Sequence, residues 1–222
     1  GAGPIGCYLA YLLAKENKEV QIFEEHRKVG EPVQCTGLVT ATINGIIKIP
    51  SNIIKNKIRK IRVCSPNNNF LELNLKNEEL VLDREKFDNY LCKKAVDEGA
   101  KLFLNHKFLT KKNNQLIIKD TKNNKIKKIE TNILVGADGP LSQVAKSEGL
   151  FGKREFYIGI QAIARFKTQK DTYETFFGKN FPGFFGWIVP EDEKIARIGL
   201  AVKTNPSFYF NNFLKLKNIK KT

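Results

Sequence analysis

The first 24 residues impose the strongest constraint on how this chain folds. Gly1, Gly3 and Gly6 follow a G-x-G-x-x-G spacing, an apolar helix pattern follows them, and residues 19–23 then alternate as a short strand that ends at Glu24. Such glycines allow a tight turn, close approach of the backbone to a pyrophosphate and packing of the helix on a sheet, and an acid about 20 residues later accepts hydrogen bonds from a ribose. The segment therefore predicts a dinucleotide-binding turn rather than an ordinary glycine loop.

The position of this motif affects how the 222 residues are interpreted. The glycine turn normally follows a strand, yet Gly1 is the first residue, and the sequence contains no Met. Residues 208–222 have a helix-like pattern that continues to the last residue. We therefore expect a fragment that lacks its N-terminal strand and a C-terminal part.

The net charge of +15 arises from 38 Lys and Arg against 23 Asp and Glu. Such an excess is typical of proteins with an anionic partner, for example a phospholipid surface or a nucleic acid. However, Lys, Asn and Ile are over-used together, and the lysines of residues 111–128 are expected in loops rather than on one helix face, which favours compositional bias. No nucleic-acid motif is present, so nucleic acid is not an expected partner. A peripheral membrane contact stays open.

The four cysteines contain no C-x-x-C pair and, even with the two histidines, no metal-ligand spacing: Cys7, Cys35, Cys64, Cys92, His26 and His106. We expect no metal and a reduced, cytoplasmic chain. No apolar run reaches the roughly 20 residues of a membrane-spanning helix.

A loop with Gly30, Pro32 and Gly37 follows the ribose-binding strand. Cys35 lies in this loop beside Thr36, and Gly37 permits close approach of the backbone to a ligand. Two interpretations of Cys35 are equally supported: a functional thiol beside the cofactor, or a small buried apolar residue, which is the usual role of a free cysteine.

Residues 58–64 and 70–75 predict a hairpin that belongs to a second sheet over residues 51–82. A helix is predicted from Asp83 to Gly99 because apolar residues recur at every fourth position. Arg84 lies in its first turn, where a cation opposes the helix dipole. That position is explained either by contact with an anionic ligand or by exposure to solvent. Residues 100–104, 115–119 and 126–129 predict further strands.

A second glycine turn is predicted after an apolar strand at residues 132–136. Gly136, Asp138 and Gly139 follow that strand, Pro140 is expected in the first turn of the next helix, and that helix runs through Val144. The turn would again present backbone amides to a ligand. Asp138 either holds a ribose or ribityl hydroxyl or only caps the helix.

The last third of the chain predicts a long strand at residues 158–166, with residues 172–177 and 194–202 as its partners. Between these partners lies the run F-P-G-F-F-G-W-I-V-P at residues 181–190, and Gly199 follows. This aromatic run is too interrupted for a simple core strand and suits the wall of an apolar ligand pocket. The alternative is a bent edge strand that packs its rings internally.

Together these stretches resemble the geranylgeranyl reductase family of flavoproteins, in particular its archaeal digeranylgeranylglycerophospholipid reductases, over residues 1–201. The resemblance rests on G-A-G-P-I-G-C, E-E-H-R-K-V-G-E-P-V-Q-C-T-G, L-D-R-E-K-F-D-N-Y-L and G-A-D-G-P-L-S-Q-V-A-K. The family signature P-x-x-Y-x-W-x-F-P is matched at Pro182, Phe185, Trp187, Val189 and Pro190, with Phe for Tyr and Val for Phe. Gly199 is kept from the family's G-x-G, Ala201 replaces its second glycine, and the family's downstream G-D-A-A-type flavin motif is absent from this sequence.

The resemblance implies an FAD enzyme that saturates carbon–carbon double bonds of geranylgeranyl chains in isoprenoid membrane-lipid biosynthesis, with ferredoxin or a nicotinamide as electron donor. It implies that this fragment alone is inactive. Cys35 is the implied catalytic residue at the flavin edge, and Phe185, Trp187 and Gly199 would contact the substrate. The implied FAD contacts are Gly1, Gly3, Ile5, Gly6, Glu24, Cys35, Thr36, Gly37, Arg84, Phe108, Asp138 and Gly139.

The predicted fold is α/β: an FAD-binding Rossmann-like domain of the glutathione-reductase type and a second, mostly antiparallel β substrate domain. We predict that residues 1–50 and 83–150 form the FAD-binding domain and that residues 51–82 and 151–222 form an incomplete substrate-binding domain.

Two other functions are compatible with these motifs. An FAD-dependent monooxygenase shares both glycine turns, but such enzymes usually carry D-G-x-x-S-x-V-R, whereas Ala145 and Lys146 follow Val144 here. The C-T-G loop and Trp187 also favour the reductase. The third possibility is a flavin-binding fragment without catalytic activity.

Overall fold

The structure, a computed structural model, describes residues 1–67 and 69–219. From the N-terminus its elements are α1 (Pro4–Lys15), β1 (Gln21–Phe23), β2 (Leu38–Val39), β3 (Ile54–Cys64), β4 (Phe70–Leu82), α2 (Arg84–Asp97), β5 (Lys101–Phe103), β6 (His106–Lys112), β7 (Gln115–Asp120), β8 (Lys125–Glu130), α3 (Gln143–Ser147), β9 (Ile158–Arg165), β10 (Thr172–Phe176), β11 (Gly186–Pro190), β12 (Ile195–Val202) and α4 (Pro206–Leu216). Short 3-10 turns lie at Ala41–Gly45 and Ser51–Ile53.

The chain divides into two compact units. The first comprises Gly1–Gln34 and Arg84–Arg154, and the second comprises Cys35–Asp83 and Glu155–Thr222. Residues 35–50, which the sequence pattern assigned to the nucleotide-binding part, therefore lie in the second unit. The reason is that β2 pairs with β4 of that unit, with Leu38 opposite Val81.

The first unit is built on α1 and α2, which pack against each other. Small buried residues of α1, Cys7 and Ala10, allow this close approach, and Leu91 and Ala95 are buried on α2. Gly99 ends α2 with a positive φ of 104°, as the sequence predicts. Next to these helices β1 and β5 form a parallel pair.

Three antiparallel strands, β6, β7 and β8, complete the sheets of the first unit. The sequence pattern identified β7 and β8 but treated residues 111–128 as mainly loops, and this was wrong. Lys111 and Lys112 end β6, while Lys125, Lys127 and Lys128 belong to β8. The lysines of this segment therefore lie on a sheet, where strand register decides which of them share a face.

The strand predicted at residues 132–136 does not form. This segment has no ladder partner among residues 1–67 and 69–219, and Ile133 is 79% exposed. A strand needs a neighbour to satisfy its backbone groups, which apolar composition alone cannot supply. Pro140 also lies outside the following helix, which begins at Gln143 after Ser142 as N-cap.

The second unit contains a seven-stranded sheet in the order β2-β4-β3-β10-β11-β12-β9, in which only the β3–β10 pair is parallel. The predicted hairpin is present as β3 and β4, although Asn68 of its turn lies outside the described residues. As predicted, β12 pairs with β9. However, β10 is not a partner of β9, because it lies between β3 and β11.

The C-terminal half of the aromatic run is a regular internal strand, which corrects the expectation that the run was too interrupted for one. Strand β11 lies between β10 and β12, and Ile188 and Val189 are fully buried. Helix α4 provides Phe210, Phe213 and Leu214 to the hydrophobic core that includes Ile188. The helix predicted from residue 208 onward is thus α4, but it ends at Leu216 with Lys217 as its C-cap instead of continuing, and residues 220–222 lie outside the described chain. Within residues 1–67 and 69–219, we find no helix with the length and apolar character of a membrane span.

Candidate functional site

The glycine turn before α1 has the geometry of a cradle for a phosphate group. A side chain at Gly1 would clash with the backbone of Ala137, and one at Gly6 would clash with the backbone of Gly1. In contrast, a Cβ added at Gly3 would meet no atom within 4 Å. Gly1 and Gly6 are therefore required by internal packing, whereas the absent side chain of Gly3 leaves open space at the N-terminus of α1, where backbone N–H groups attract anions.

Two further properties of α1 keep this end available to an anionic ligand. Its N-cap residue, Gly3, makes no side-chain capping hydrogen bond, and its first turn contains no acidic residue. Ile5 in that turn is 77% exposed and lies at the surface of this end of the helix.

Glu24 connects the end of β1 to the glycine turn. The residue is only 9% exposed, and its carboxylate accepts hydrogen bonds from Ala2 N at 2.8 Å and from His26 N at 3.0 Å and contacts His26 Nδ1 at 2.6 Å. Burial by itself raises the pKa of Glu24, but the hydrogen bonds from Ala2 and His26 outweigh burial and lower it. An ionised acceptor therefore lies beside the glycine turn, where the sequence predicted a ribose contact.

The second glycine turn packs directly on the first, since Ala137 is the residue that excludes a side chain at Gly1. Within it, Asp138 accepts hydrogen bonds from Ser142 Oγ at 2.5 Å and from Val144 N at 3.0 Å. Burial raises the pKa of Asp138, and these hydrogen bonds reverse the effect and lower it. Both carboxylate oxygens are thus occupied at the start of α3, so the structure displays the capping role.

Arg84 forms a bidentate ion pair with Asp88 one turn later in α2. Its Nε and Nη2 each lie 3.0 Å from a carboxylate oxygen of Asp88, and both side chains are largely buried. The interpretation of Arg84 as a solvent-exposed cation is therefore wrong. Beside it, Gly30 has a φ of 78°, and a Cβ there would lie 3.0 Å from the Cα of Glu85, so the loop after β1 packs closely on the start of α2.

In the second unit the loop that contains Cys35 has an accessible thiol. Cys35 is exposed, whereas Cys7 and Cys92 are buried, so its interpretation as a small core residue is wrong. Its Sγ accepts a hydrogen bond from Gly37 N at 3.3 Å, and Gly37 has a φ of 78°. The thiol is thus held at a turn and remains open to reagents.

The aromatic run divides into a core part and a surface part. Phe181 is buried and packs edge-on against Phe213 of α4, with ring centroids 4.9 Å apart. Beyond it a partly exposed aromatic cluster forms, in which Phe184 stacks on Phe185 at 4.5 Å and Phe185 meets Trp187 edge-on at 6.0 Å. Internal packing of rings is therefore confirmed at Phe181, although β11 is not an edge strand. The role of Phe185 and Trp187 as the wall of a ligand pocket stays a prediction.

Gly199 lies directly beside the indole of Trp187. The two residues are paired across β11 and β12, and a Cβ on Gly199 would lie 2.5 Å from Cζ2 of Trp187. The glycine therefore creates the space that the indole occupies. Trp187 Nε1 donates to Gln161 Oε1 at 2.9 Å, and Thr36 Oγ1 donates to the same oxygen at 2.7 Å.

Sequence reasoning missed two residues of this region, Gln161 and Arg197. Arg197 is 5% exposed and donates to the backbone carbonyls of Thr36 and Leu82, and its Nε bonds Glu191 at 2.7 Å. A charged residue inside the apolar strand 195–202 was a usable signal, because charged side chains are almost never buried unless paired. Gln161 left no such signal, since a polar residue in an alternating strand usually faces water.

The predicted site residues are thus divided between the two units. The first unit holds Phe108, which lies in β6 at a register shift, and Gly139, whose φ is 78° and whose added Cβ would meet no atom within 4 Å. The structure brings together the two glycine turns and Glu24 in the first unit. In the second unit it brings together Thr36, Trp187 and Gly199 through Gln161.

Comparison with known proteins agrees with this geometry. Residues 1–41 match the NAD(P)-binding Rossmann-like domain family. Digeranylgeranylglycerophospholipid reductase 3 of Methanosphaera stadtmanae is 27% identical over 96% of this chain and 59% of its own length. The chloroplastic geranylgeranyl diphosphate reductase of Nicotiana tabacum is 30% identical over 92% of this chain and 48% of its own length. The crystal structure of a geranylgeranyl bacteriochlorophyll reductase-like protein from Thermoplasma acidophilum superimposes with a TM-score of 0.87 at 24% identity, covering 97% of this chain and 60% of that protein.

The Rossmann-type glycine turn of the first unit and the mostly antiparallel sheet of the second unit define the predicted α/β fold class. More narrowly, the chain is similar to geranylgeranyl reductases and digeranylgeranylglycerophospholipid reductases at 27% to 30% identity. It spans between 48% and 59% of the length of the two curated relatives compared.

Proposed function

We propose that this chain binds FAD through the glycine turn, with the pyrophosphate at Gly3 and the adenosine ribose at Glu24. The observation that carries the proposal is the open space at Gly3, flanked by two glycines that internal packing requires. The lowered pKa of Glu24 supports it, because a ribose diol needs an ionised acceptor. Cys35, Thr36, Gly37, Arg84, Phe108, Asp138 and Gly139 are the further proposed contacts.

The test is Gly3→Val, whose Cβ would enter the proposed pyrophosphate site without meeting a protein atom within 4 Å. Gly45→Val is the matched control, because a Cβ at Gly45 also meets nothing within 4 Å. Equilibrium dialysis with FAD should show at least a tenfold weaker affinity for Gly3→Val, about 1.4 kcal/mol, and no change for Gly45→Val. Equal FAD binding by wild type and Gly3→Val would exclude this site. A wild-type chain that binds no FAD would contradict this proposal and also the interpretation as an inactive flavin-binding fragment.

We further propose that the parent activity is saturation of carbon–carbon double bonds in geranylgeranyl chains of membrane lipids. When bound and reduced, FAD would supply the hydride. The chain's own contribution would be an apolar wall, formed by Phe185 and Trp187 beside Gly199, that holds the isoprenoid chain and excludes water. The exposed Cys35 thiol is the proposed proton donor. The electron donor is left as two alternatives, ferredoxin or a nicotinamide.

The competing function is an FAD-dependent monooxygenase, and anaerobic reaction separates the two. With the flavin reduced chemically, a geranylgeranyl lipid should reoxidise it without oxygen if the reductase proposal holds. Trp187→Ala should weaken lipid binding by roughly tenfold, as for a truncated aromatic anchor. Phe208→Ala is the control, since Phe208 is an exposed aromatic residue on α4. Oxygen-dependent hydroxylation of a small aromatic compound, without lipid-driven reoxidation, would replace the reductase by the monooxygenase.

A peripheral membrane contact is the proposed route to a lipid substrate, and β6, β7 and β8 offer a surface for it. Strand register places Lys119 opposite Ile126, and Lys128 opposite Ile117. Lys112 lies on the same face, opposite Gln115 of β7. The buried residues of β7, Leu116 and Ile118, point the other way, so this lysine face (Lys112, Lys119 and Lys128) is directed outward.

The charge of the lysine face favours an anionic lipid surface. Lys112, Lys119 and Lys128 form no ion pair among residues 1–67 and 69–219. A lysine near an anionic leaflet contributes about 1 kcal/mol, so changing all three to Glu should reduce sedimentation with phosphatidylglycerol vesicles by roughly tenfold or more. The control changes Lys15, Lys18 and Lys153, three exposed lysines elsewhere, by the same total charge. If both triple variants lose binding equally, net charge rather than this face is responsible.

A further inference from the structure

Three strands align Trp187, Gly199 and Gln161 in one row. Trp187 pairs with Gly199 across β11 and β12, and Gly199 pairs with Gln161 across β12 and β9. Neighbouring strands lie about 4.8 Å apart, so the indole must cross the whole width of β12 to reach Gln161. It does so over Gly199, where a Cβ would lie 2.6 Å from Cε2 of the indole.

The side-chain oxygen of Gln161 is shared between two donors. An indole N–H can only donate, so the atom that faces Trp187 Nε1 at 2.9 Å must be the amide oxygen of Gln161. The hydroxyl of Thr36 donates to this same oxygen at 2.7 Å. Thr36 follows Cys35 directly, so one atom of Gln161 connects the aromatic cluster to the Cys35 loop.

The backbone at Thr36 is restrained as well. Its carbonyl accepts a hydrogen bond from Nη1 of the buried Arg197, whose Nε is paired with Glu191. The carbonyl of Leu82 accepts from the same Nη1 at 2.9 Å. Because the backbone at Thr36 is anchored, loss of the Gln161 contact would free the Thr36 side chain and the indole rather than unfold the loop.

We infer that Gln161 is a positioning residue that couples the orientation of the Trp187 indole to the Cys35 loop. This inference rests on the proposed function, in which Trp187 borders the isoprenoid chain and Cys35 lies at the flavin edge. Through Gln161, a substrate that shifts the indole also changes the hydrogen bond that holds Thr36. The position of Trp187 in the proposed lipid-facing wall and the position of the loop that carries the proposed proton donor, Cys35, therefore depend on the same oxygen atom of Gln161.

The coupling can be tested without flavin or lipid, because Trp187 is the only tryptophan in the sequence. Gln161→Leu removes the acceptor at similar volume, and Gln161→Glu retains side-chain oxygens. Thr36→Val removes a hydroxyl that does not touch the indole, with Thr168→Val as its control, since the Thr168 hydroxyl bonds only a local carbonyl. Tryptophan emission, acrylamide quenching and the rate of Cys35 modification by a thiol reagent are measured.

In Gln161→Leu we expect faster quenching of Trp187 and a rate of Cys35 modification that rises by up to roughly fivefold, the factor for loss of one hydrogen bond beside Cys35. Gln161→Glu should restore both values, which a residue needed only for packing volume would not do. Thr36→Val should shift the tryptophan emission, and Thr168→Val should not. The inference would be overturned if Gln161→Leu kept the wild-type tryptophan emission and the wild-type rate of Cys35 modification. Identical behaviour of the Leu and Glu variants would overturn it as well. Since no step uses FAD or lipid, such a failure is distinct from failure of the proposed function.

Discussion

Substitution of Gly199 by Ala offers a quantitative test of the packing around the indole. A methyl group at this position would lie 2.5 Å from Cζ2 of Trp187 and 2.8 Å from the carbonyl oxygen of Ile160. The carbonyl belongs to β9, which is paired along its whole length with β12, so it cannot withdraw without disturbing the ladder. The indole must therefore move, and its hydrogen bond to Gln161 stretches.

Overpacking of this kind costs about 1–3 kcal/mol. The matched control is Gly159→Ala in β9 of the same sheet, where a Cβ meets nothing within 4 Å. Replacing a glycine by alanine without strain stabilises by about 0.4–1 kcal/mol through the unfolded chain. The two variants should therefore differ by roughly 1.5–4 kcal/mol in the free energy of unfolding.

Urea denaturation followed by circular dichroism measures this difference, and tryptophan emission reports the local change separately. We expect Gly199→Ala to unfold at lower urea than Gly159→Ala, with its emission shifted because the indole has lost its partner. Equal midpoints for the two alanine variants, together with wild-type emission in Gly199→Ala, would refute the packing argument.

Two further predictions follow from burial and charge. Cys35 is exposed and should react first with a thiol reagent. Cys7 should react only on unfolding, since its hydrogen bond with Cys92 and its burial raise the pKa of its thiol. Rapid modification of Cys7 in the native protein would contradict this prediction. Glu24 and Asp138 have folded-state pKa values below their ordinary ones, so each stabilises the fold above its unfolded pKa and loses that contribution as pH falls through the folded value. Acid titration below pH ~4.5 should therefore destabilise wild type more than Glu24→Gln, and parallel curves would exclude a role for Glu24.

Local sequence patterns predicted the elements whose formation depends on neighbouring residues. The glycine turn followed by α1 is one case, because a side chain at Gly6 would clash with the backbone of Gly1 in the same turn. Helix α2 is another, since its apolar face and terminal Gly99 are all contained in one segment. The hairpin of β3 and β4 was predicted for the same reason.

Errors occurred where an element depends on a distant partner. Residues 132–136 have the composition of a strand, but no described strand pairs with them, and Ile133 and Val135 stay exposed. The run at residues 181–190 was expected to be irregular, yet β10 and β12 on either side stabilise β11 as an internal strand. Local composition does not show which strand will pair with a segment, and the backbone N–H and C=O groups of a strand are satisfied only when a neighbouring strand is present.

The amino-acid sequence by itself determined the class of fold, the Rossmann-type glycine turn and the resemblance to geranylgeranyl reductases, because these depend on short spacings of glycines, acids and aromatic residues. Only the tertiary structure decided that Cys35 is exposed, that Asp138 caps a helix and that Gln161 joins Trp187 to Thr36. Gln161 and Thr36 are 125 residues apart in sequence. Their hydrogen bond depends on a sheet register that places Gln161 and Trp187 on opposite sides of Gly199. That register cannot be deduced from a local sequence pattern.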